Sequence, residues 1–403
     1  MNFDQLYRQT MGPYFFEFCQ RLHALATMYS AVGNTTLYFC RRSGIVLYEF
    51  YKMFLAANRI SPGYEMRDFP VSRLVVVKAA LAESSLWGGH MCSVMFPQKT
   101  IRYLIAKLLE SQEVICPIKY TAFFEENILN STITPGSVSK WLAVDALIDG
   151  NMDSISSYLL YQRELLLANF PSRPGDNAVI VDSGLYGTVS EVLSGLFPDV
   201  RCISGFVYFS NYKKVNPVSH QDFIYGLMGS SAAASLELNH TAVLRHWHFI
   251  EKLLEPDNIS SMSDFSSFQP NVNLVLNNEQ SSIAEFFRSP LPYDINSVLN
   301  VINRVLSHPS PSELEIIYSS ERRDDASGET RRILIPRSLE LSIRKSDALR
   351  RVNYGIIRRS LWHEGQIVLS YGWLGFVYNG FRYYTVRVKT LFFSKFIARL
   401  LGL

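Results

Sequence analysis

One segment constrains the fold more than any other: a strand, a glycine-bearing turn, a helix and a second strand follow one another between residues 178 and 210. Residues 178–182 (AVIVD) and 202–210 (CISGFVYFS) have the continuous apolar composition of buried strands. Residues 183–188 (SGLYGT) supply the turn, and residues 189–196 have the apolar spacing of a helix. This order predicts two parallel strands joined by a right-handed crossover, and therefore an α/β fold.

The same alternation continues along the chain. Strand-like or extended segments are predicted at residues 36–40 and 69–71, while periodicity leaves residues 74–82 undecided between strand and helix. Helical patterns cover residues 13–30, 45–58, 100–170 with a break at 131–136, 241–254 and 295–306. Residues 319–330 (SSERRDDASGET) read as a polar surface loop or linker. We expect an α/β domain over residues 1–260 and a mainly helical C-terminal region over residues 261–403.

Composition narrows the functional classes. Apolar residues make up 48% of the 403 positions, which excludes a disordered chain. The near balance of 39 basic and 36 acidic residues does not indicate a nucleic-acid binder. Five scattered cysteines without CxxC spacing argue against a zinc ribbon or a disulfide framework. No signal peptide or long apolar span is evident, so the sequence predicts a cytoplasmic protein.

Basic charge is concentrated at the C-terminus. From residue 340 onward, eleven Lys and Arg face three acids. Residues 383–403 mix Leu, Phe and Ile with Lys and Arg, as amphipathic helices at membrane surfaces do. The pattern equally fits a terminal helix docked on the protein, so peripheral contact with the inner face of the cytoplasmic membrane is one of two interpretations.

The turn after residue 182 is the first candidate site. A turn that enters a helix offers unpaired N–H groups to a phosphate, and Gly184 and Gly187 permit close backbone approach. Thr188 and Ser190 add hydroxyl groups, and Asp182 can accept hydrogen bonds from sugar hydroxyls or hold a metal ion. The segment is neither a GxxxxGK[ST] loop nor GxGxxG. An ordinary strand-to-helix turn is the alternative.

Three further clusters carry reactive groups. The first is Arg41, Arg42, Ser43 and Gly44, and the second is Ser72 with Arg73; both follow strands and could bind a diphosphate, or could be surface arginines. In the third, His248 and Glu251 share a helix face and could form an acid–base pair, although a solvated face explains them too. No HExxH metal motif is present, and the spacing of His246 and His248 argues against a shared metal.

Taken in order, several motifs resemble one family. They are Met11-Gly12-Pro13, residues 37–44 (LYFCRRSG), Val71-Ser72-Arg73, residues 179–184 (VIVDSG) with Gly187-Thr188, and Phe249-Ile250-Glu251. Over residues 10–260 the chain looks like the phosphoribosyltransferase-like module of bacterial surface-polysaccharide gene clusters. In that family the module often follows a phosphatase domain of the haloacid dehalogenase type on the same chain.

The resemblance implies a type I phosphoribosyltransferase-like parallel sheet flanked by helices, and the donor 5-phosphoribosyl 1-pyrophosphate (PRPP). Ribofuranose 5-phosphate would pass to a hydroxyl of a lipid-linked glycan (O-antigen or capsule), with release of pyrophosphate and inversion to a β-riboside. Mg²⁺ could assist, although the sequence identifies no metal ligand, and a separate phosphatase would remove the 5-phosphate.

The resemblance also implies roles for residues at matching positions. Residues of the turn would hold the 5-phosphate: Ser183, Gly184, Leu185, Tyr186, Gly187, Thr188 and Ser190. Residues after the other two strands would bind the pyrophosphate: Arg41, Arg42, Ser43, Gly44, Ser72 and Arg73. The catalytic candidates are Asp182, Glu251 and His248.

Two departures from the family keep other functions open. Ser43 stands where the family more often has aspartate, and no phosphatase domain is evident in the sequence. A regulator that binds ribose phosphate without catalysis, a phosphoribosyltransferase acting on a base, and a scaffold that docks at the membrane are the alternatives.

Overall fold

Five parallel strands form the centre of the fold. The computed structural model describes residues 1–41, 43–109, 124–145, 155–170, 172–185, 187–210, 223–230, 243, 246–257, 274–317, 321–323, 330–332, 369, 373 and 376–380. The strands are β1 (Thr35–Cys40), β2 (Glu65–Phe69), β3 (Asn177–Leu185), β4 (Arg201–Phe209) and β5 (Ile224–Gly226). Their spatial order is β2-β1-β3-β4-β5, and every neighbouring pair is parallel. The predicted α/β class and the parallel crossover are thus confirmed.

Helices cover both faces of this sheet. Two short N-terminal segments, α1 (Phe3–Leu6) and a π-helical turn (Tyr7–Met11), lead into the first long helix. The remaining helices are α2 (Gly12–Ser30), α3 (Ser43–Ala57), α4 (Arg73–Glu83), α5 (Ser85–Met95), α6 (Ile101–Leu108), α7 (Glu126–Leu129), α8 (Pro135–Asp145), α9 (Ile155–Asn169), α10 (Thr188–Leu196), α11 (Trp247–Leu254), α12 (Asn278–Arg288), α13 (Ile295–Ser307) and α14 (Pro311–Ile317). A small antiparallel pair, β6 (Glu321–Arg323) and β7 (Thr330–Arg332), follows them.

Alternation along the strands divides the interior into two hydrophobic cores. Phe39 and Val181 join the core formed with α2, α3 and α11 to α13. Their neighbours Tyr38 and Ile180 join the core formed with α4 to α6 and α8 to α10. Successive side chains of a strand point to opposite faces, so a sheet buried on both sides has continuously apolar strands. This burial explains why residues 178–182 show no polar alternation.

The connections place a crevice at one edge of the sheet. Helix α3, which follows β1, packs in the first core, whereas α10, which follows β3, packs in the second. Chain segments therefore leave the carboxyl ends of these neighbouring strands in opposite directions. Such a point, where the strand order reverses, is where open parallel sheets bind ligands.

Residues 74–82, undecided from the sequence, lie in helix α4. Ser72 caps this helix by accepting a hydrogen bond from the N–H of Val75 at 3.2 Å. The helix is buried nearly all round, including Lys78, whose Nζ donates to the Tyr158 hydroxyl at 2.5 Å. A helix enclosed in this way has no polar face, and its sequence therefore shows no 3.6-residue periodicity.

Several predicted boundaries differ from the structure, among them the extended segment predicted at residues 69–71, since β2 ends at Phe69. Strand β3 runs to Leu185 instead of ending at Asp182, because β4 continues beside it and pairs with it up to Phe209. The helix predicted over residues 241–254 is interrupted at His246, which is non-helical at φ −110° and ψ 34°, and α11 follows it. Val243 is helical, and residues 241, 242, 244 and 245 lie outside the described residues. The segment 319–330, predicted as a loop or linker, contains β6 and the first residue of β7, while its residues 319, 320 and 324–329 lie outside the described residues.

Helices α12 and α13, which lie beyond the predicted domain boundary at residue 260, extend the first core. Both pack against α2 and the π-helical turn, and Phe287 of α12 stacks on Phe50 of α3 with ring centroids 5.3 Å apart. Most of the chain after residue 317 lies outside the described residues. Among the described helices, none is long and apolar enough to cross a membrane.

This packing predicts that residues 278–307 unfold together with the sheet. Phe287→Leu removes a fully buried ring and its stacking contact with Phe50. We expect it to lower the free energy of unfolding by about 1–2 kcal/mol. The measurement is urea unfolding followed by both fluorescence and circular dichroism. Leu291→Ala, at a side chain 62% exposed, is the control with little expected effect. Two separate transitions, with only one shifted by Phe287→Leu, would contradict the prediction.

Candidate functional site

A cavity opens at the carboxyl ends of β1 and β3, where the topology predicts a ligand site. The residues that line it come from the carboxyl-terminal halves of β1, β3 and β4 with the residues after β1, from the starts of α3, α4 and α10, and from α11 with its C-terminal cap. They are Cys40, Arg41, Ser43, Val71, Ser72, Arg73, Asp182, Ser183, Gly184, Gly187, Thr188, Val189, Phe206, Glu251 and Glu255. The structure therefore brings together residues from all four clusters that the sequence analysis singled out.

Three helices begin at this cavity. Ser43 opens α3, Arg73 opens α4 and Thr188 opens α10, and all three residues line it. Gly187 precedes α10 without any side-chain cap, so the first N–H groups of that helix are not used by a capping side chain. The N-terminus of a helix carries free N–H donors and the positive end of the helix dipole. The cavity is thus suited to a ligand that bears more than one negative charge.

The turn between β3 and α10 is tighter than the sequence predicts. Gly184 lies within β3 opposite Tyr208, with φ +116°, and a Cβ there would overlap the carbonyl oxygen of Tyr208. Gly187 follows in the left-handed region at φ +75°. Only glycine adopts both conformations without strain. Tyr186 lies outside the described residues, and the side chain of Leu185 is not described either.

Asp182, at the carboxyl end of the sheet, lines the cavity. Its Oδ1 accepts a hydrogen bond from the Ser43 hydroxyl at 2.5 Å and another from the Ser183 N–H at 2.7 Å. Burial raises the pKa of Asp182 to about 6; the two hydrogen bonds oppose the rise, nearby Glu251 adds to it, and Arg73 opposes it. A carboxylate held in this way can accept a hydrogen bond or a proton near neutral pH.

Gly44 allows α3 to begin this close to the sheet. A Cβ at this position would lie 3.0 Å from the carbonyl carbon of Phe39 and 3.1 Å from the carbonyl oxygen of Val181. The first turn of α3 therefore rests on the backbones of β1 and β3. The sequence places Gly44 in a phosphate-binding turn, whereas its contacts in the structure give it a role in packing.

Among the described residues, the arginines Arg41 and Arg73 border the cavity. The Arg41 side chain is buried, and its Nη2 lies 3.2 Å from Oδ2 of Asp68 at the end of β2. Burial raises the pKa of Asp68, and the Arg41 guanidinium opposes that rise. Arg73 is half-buried and close enough to influence the pKa of Asp182. Arg42, predicted beside them, lies outside the described residues.

Two acidic residues of the C-terminal side of the domain also line the cavity. Glu251 and Glu255, four residues apart, both line the cavity from α11 and its C-terminal cap. His248 lies 3.8 Å from Glu251, measured from Nδ1 to Oε2, but it is 40% exposed and does not line the cavity. His248 and Glu251 are therefore neighbours on one helix face, as the sequence predicts, but of the two only Glu251 borders the cavity.

Some predicted residues lie elsewhere, and some lining residues were missed. Ser190 is fully buried and accepts a hydrogen bond from the Ser204 hydroxyl at 2.6 Å, away from the cavity. Glu255 was missed although its i, i+4 spacing from Glu251 places both on one helix face. Nothing in the sequence indicated that Val71, Val189 and Phe206 line the cavity, because apolar residues at such positions usually pack in the hydrophobic core.

Within the described part of the chain, no group of three His, Cys, Asp or Glu side chains is arranged to hold a metal ion. Comparison with protein-family models and with curated proteins finds no significant match to this chain.

Proposed function

We propose that this chain is a PRPP-dependent glycosyltransferase that moves ribofuranose 5-phosphate to a hydroxyl of a glycan. One observation carries the proposal: three helix N-termini, two arginines and a buried carboxylate converge on one cavity at the carboxyl ends of β1 and β3. A phosphorylated sugar diphosphate is a ligand whose charges and hydroxyls would satisfy all three kinds of group. The motif order along the chain, which resembles the type I phosphoribosyltransferase-like family, supports the same ligand and fold.

In this proposal the two ends of the donor bind to different walls. The 5-phosphate lies at the uncapped start of α10, against Gly187 and the Thr188 hydroxyl. The diphosphate lies near Arg73 and the start of α4, with the Arg41 guanidinium behind it. Asp182, between them, accepts hydrogen bonds from ribose hydroxyls. Each contact uses a donor or acceptor that borders the cavity.

The chemistry needs stabilisation of two charges. Loss of pyrophosphate leaves oxocarbenium character on the ribose, and the nearby carboxylates of Asp182 and Glu251 would stabilise it. Arginines and helix N-termini would stabilise the leaving group. Glu251, which also lines the cavity, is the proposed base that takes the acceptor proton. The acceptor oxygen would bond to the anomeric carbon as the bond to pyrophosphate breaks, and such a single displacement inverts that carbon. Mg²⁺, if bound with the donor, would add positive charge against the leaving diphosphate.

The test is a calorimetric titration in which each end of the donor has its own variant. We expect Thr188→Val to weaken the binding of ribose 5-phosphate and of PRPP by roughly tenfold while leaving the affinity for pyrophosphate unchanged. Arg73→Gln should weaken pyrophosphate and PRPP by roughly 10–100-fold, because it removes charge-assisted hydrogen bonds. Arg163→Gln, at a surface ion pair with Glu83, is the matched control. Each titration is run with and without Mg²⁺.

The outcomes separate the candidate functions. Absence of PRPP binding in the wild type under both conditions would end the transferase proposal. Binding without release of pyrophosphate in the presence of glycan acceptors would favour a ribose-phosphate-binding regulator instead. The proposed setting is the cytoplasmic face of the membrane, with a lipid-linked acceptor and a separate phosphatase. Residues 383–403, the proposed membrane contact, lie outside the described residues.

A further inference from the structure

The carboxylate of Asp182 is held asymmetrically. Both close donors, the Ser43 hydroxyl at 2.5 Å and the Ser183 N–H at 2.7 Å, bind the same oxygen, Oδ1. No residue among those described donates a hydrogen bond to Oδ2, and Asp182 borders the cavity. One oxygen is therefore occupied by the protein, and the other is left for a ligand.

The position of Ser43 is fixed by backbone packing. It is the first residue of the 15-residue helix α3, whose next residue, Gly44, approaches the backbones of both β1 and β3. The hydroxyl is thus delivered by a short side chain on a rigid element. A donor placed in this way loses little conformational entropy when it forms its hydrogen bond.

The surroundings of Asp182 make such a donor necessary. The titratable groups that border the same cavity are Cys40, Arg41, Arg73, Glu251 and Glu255. Glu251 disfavours the ionised form of Asp182, whereas Arg73 favours it. Burial disfavours the charge most strongly. Without the Ser43 hydroxyl, the carboxylate would keep only the Ser183 N–H at 2.7 Å and the longer hydrogen bond from the Ser183 hydroxyl at 3.5 Å, both to Oδ1, against these opposing effects.

We infer that Ser43 is a positioning residue, which occupies Oδ1 of Asp182 so that Oδ2 receives a hydroxyl of the ligand, and that it does not bind the diphosphate. The identity of that hydroxyl, a ribose hydroxyl, rests on the proposed function. The link between Ser43 and Asp182 does not depend on any ligand. The inference also changes the role expected from the sequence, where Ser43 was grouped with the diphosphate-binding residues.

The first experiment needs no ligand. It is a double-mutant cycle of Ser43→Ala and Asp182→Asn, measured by urea unfolding at pH 7.5 and pH 4.5. At pH 7.5, Ser43→Ala should raise the unfolding equilibrium constant of the wild type by a factor roughly five times larger than that for the Asp182→Asn variant. The reason is that a hydrogen bond to an ionised acceptor is stronger than one to a neutral amide. At pH 4.5, where Asp182 is protonated, that coupling should largely disappear. Ser85→Ala, at the first residue of α5 with Ser139 as its partner, should show no coupling.

The second experiment measures ligand binding across pH 5–8. Ser43→Ala should weaken the binding of ribose 5-phosphate by roughly tenfold at pH 7 and should change pyrophosphate affinity by less than about twofold. It should also move the acidic limb of the plot of ribose 5-phosphate affinity against pH to higher pH. Ser43→Thr, which keeps the hydroxyl, should restore both the affinity and the limb. Equal weakening of pyrophosphate and ribose 5-phosphate, or absence of pH-dependent coupling in the cycle, would overturn the inference. If wild type binds no ribose 5-phosphate, the proposed function fails while the cycle still decides the role of Ser43.

Discussion

Gly184→Ala is expected to lower the free energy of unfolding by about 4 kcal/mol, from backbone strain and steric overlap together. Gly184 has φ +116°, a conformation that residues with a side chain rarely adopt. The added Cβ would also overlap the carbonyl oxygen of Tyr208 on the neighbouring strand. Neither atom can move without disturbing the pairing of β3 with β4. Because Gly184 borders the cavity, any folded fraction should also lose ligand binding.

Two other glycines separate the causes of this loss. Gly175 has φ +87° but nothing within 4 Å of an added Cβ, so Gly175→Ala should cost only the strain, roughly 1–2 kcal/mol. Gly136 in α8 has open space and no positive φ, and Gly136→Ala should be neutral or slightly stabilising. The measurement is urea unfolding of the three variants. If Gly184→Ala were no worse than Gly175→Ala, the close approach of β4 to Gly184 would be wrong.

Local patterns in the sequence were enough to predict the centre of the fold. The apolar run at residues 178–182, the glycines after it and the apolar spacing of residues 189–196 each report short-range preferences, and together they predict the parallel crossover. The end of β3 could not be predicted in the same way. Whether Ser183, Gly184 and Leu185 belong to a strand or a turn depends on whether β4 continues beside them, which is a tertiary property.

The site was predictable in its parts but not in its assembly. Asp182, Thr188 and Arg73 could be selected because polar residues after buried strands face a common edge. The bond between Ser43 and Asp182 joins residues 139 positions apart, and no local pattern reports such a distance. Ser190 shows the opposite error: its position in the first turn of α10 suggested a phosphate contact, but the helix turns it into the core.

Asp182→Asn is expected to stabilise the protein at neutral pH and to weaken the binding of sugar phosphates at the same time. The folded-state pKa of Asp182 is about 6, above its ordinary value of 3.8. Stability linked to this group is therefore fully present below about pH 4 and is lost as pH rises through 6, since the folded state must then give up a proton that it holds more tightly. The difference corresponds to about 3 kcal/mol.

Asparagine keeps the shape and an oxygen acceptor for Ser43 and Ser183, but it has no charge to desolvate. Relative to wild type, the Asp182→Asn variant should therefore gain stability between pH 4.5 and pH 7.5, as measured by urea unfolding at both values. Ribose 5-phosphate affinity should fall by roughly tenfold or more at pH 7.5, because a hydrogen bond to a charged acceptor is replaced by a weaker one.

Glu191 provides the control that separates stability from binding. Burial raises the pKa of Glu191 to about 7, so Glu191→Gln should also gain stability relative to wild type as pH rises. Glu191 does not border the cavity, and its replacement should not weaken ribose 5-phosphate. We expect both variants to gain stability and only Asp182→Asn to lose ribose 5-phosphate binding. That result would mean that the charge of Asp182 destabilises the fold but is needed for binding. If Asp182→Asn instead lost stability at pH 7.5, the carboxylate would be a structural anchor, and the site would have to be centred on another residue.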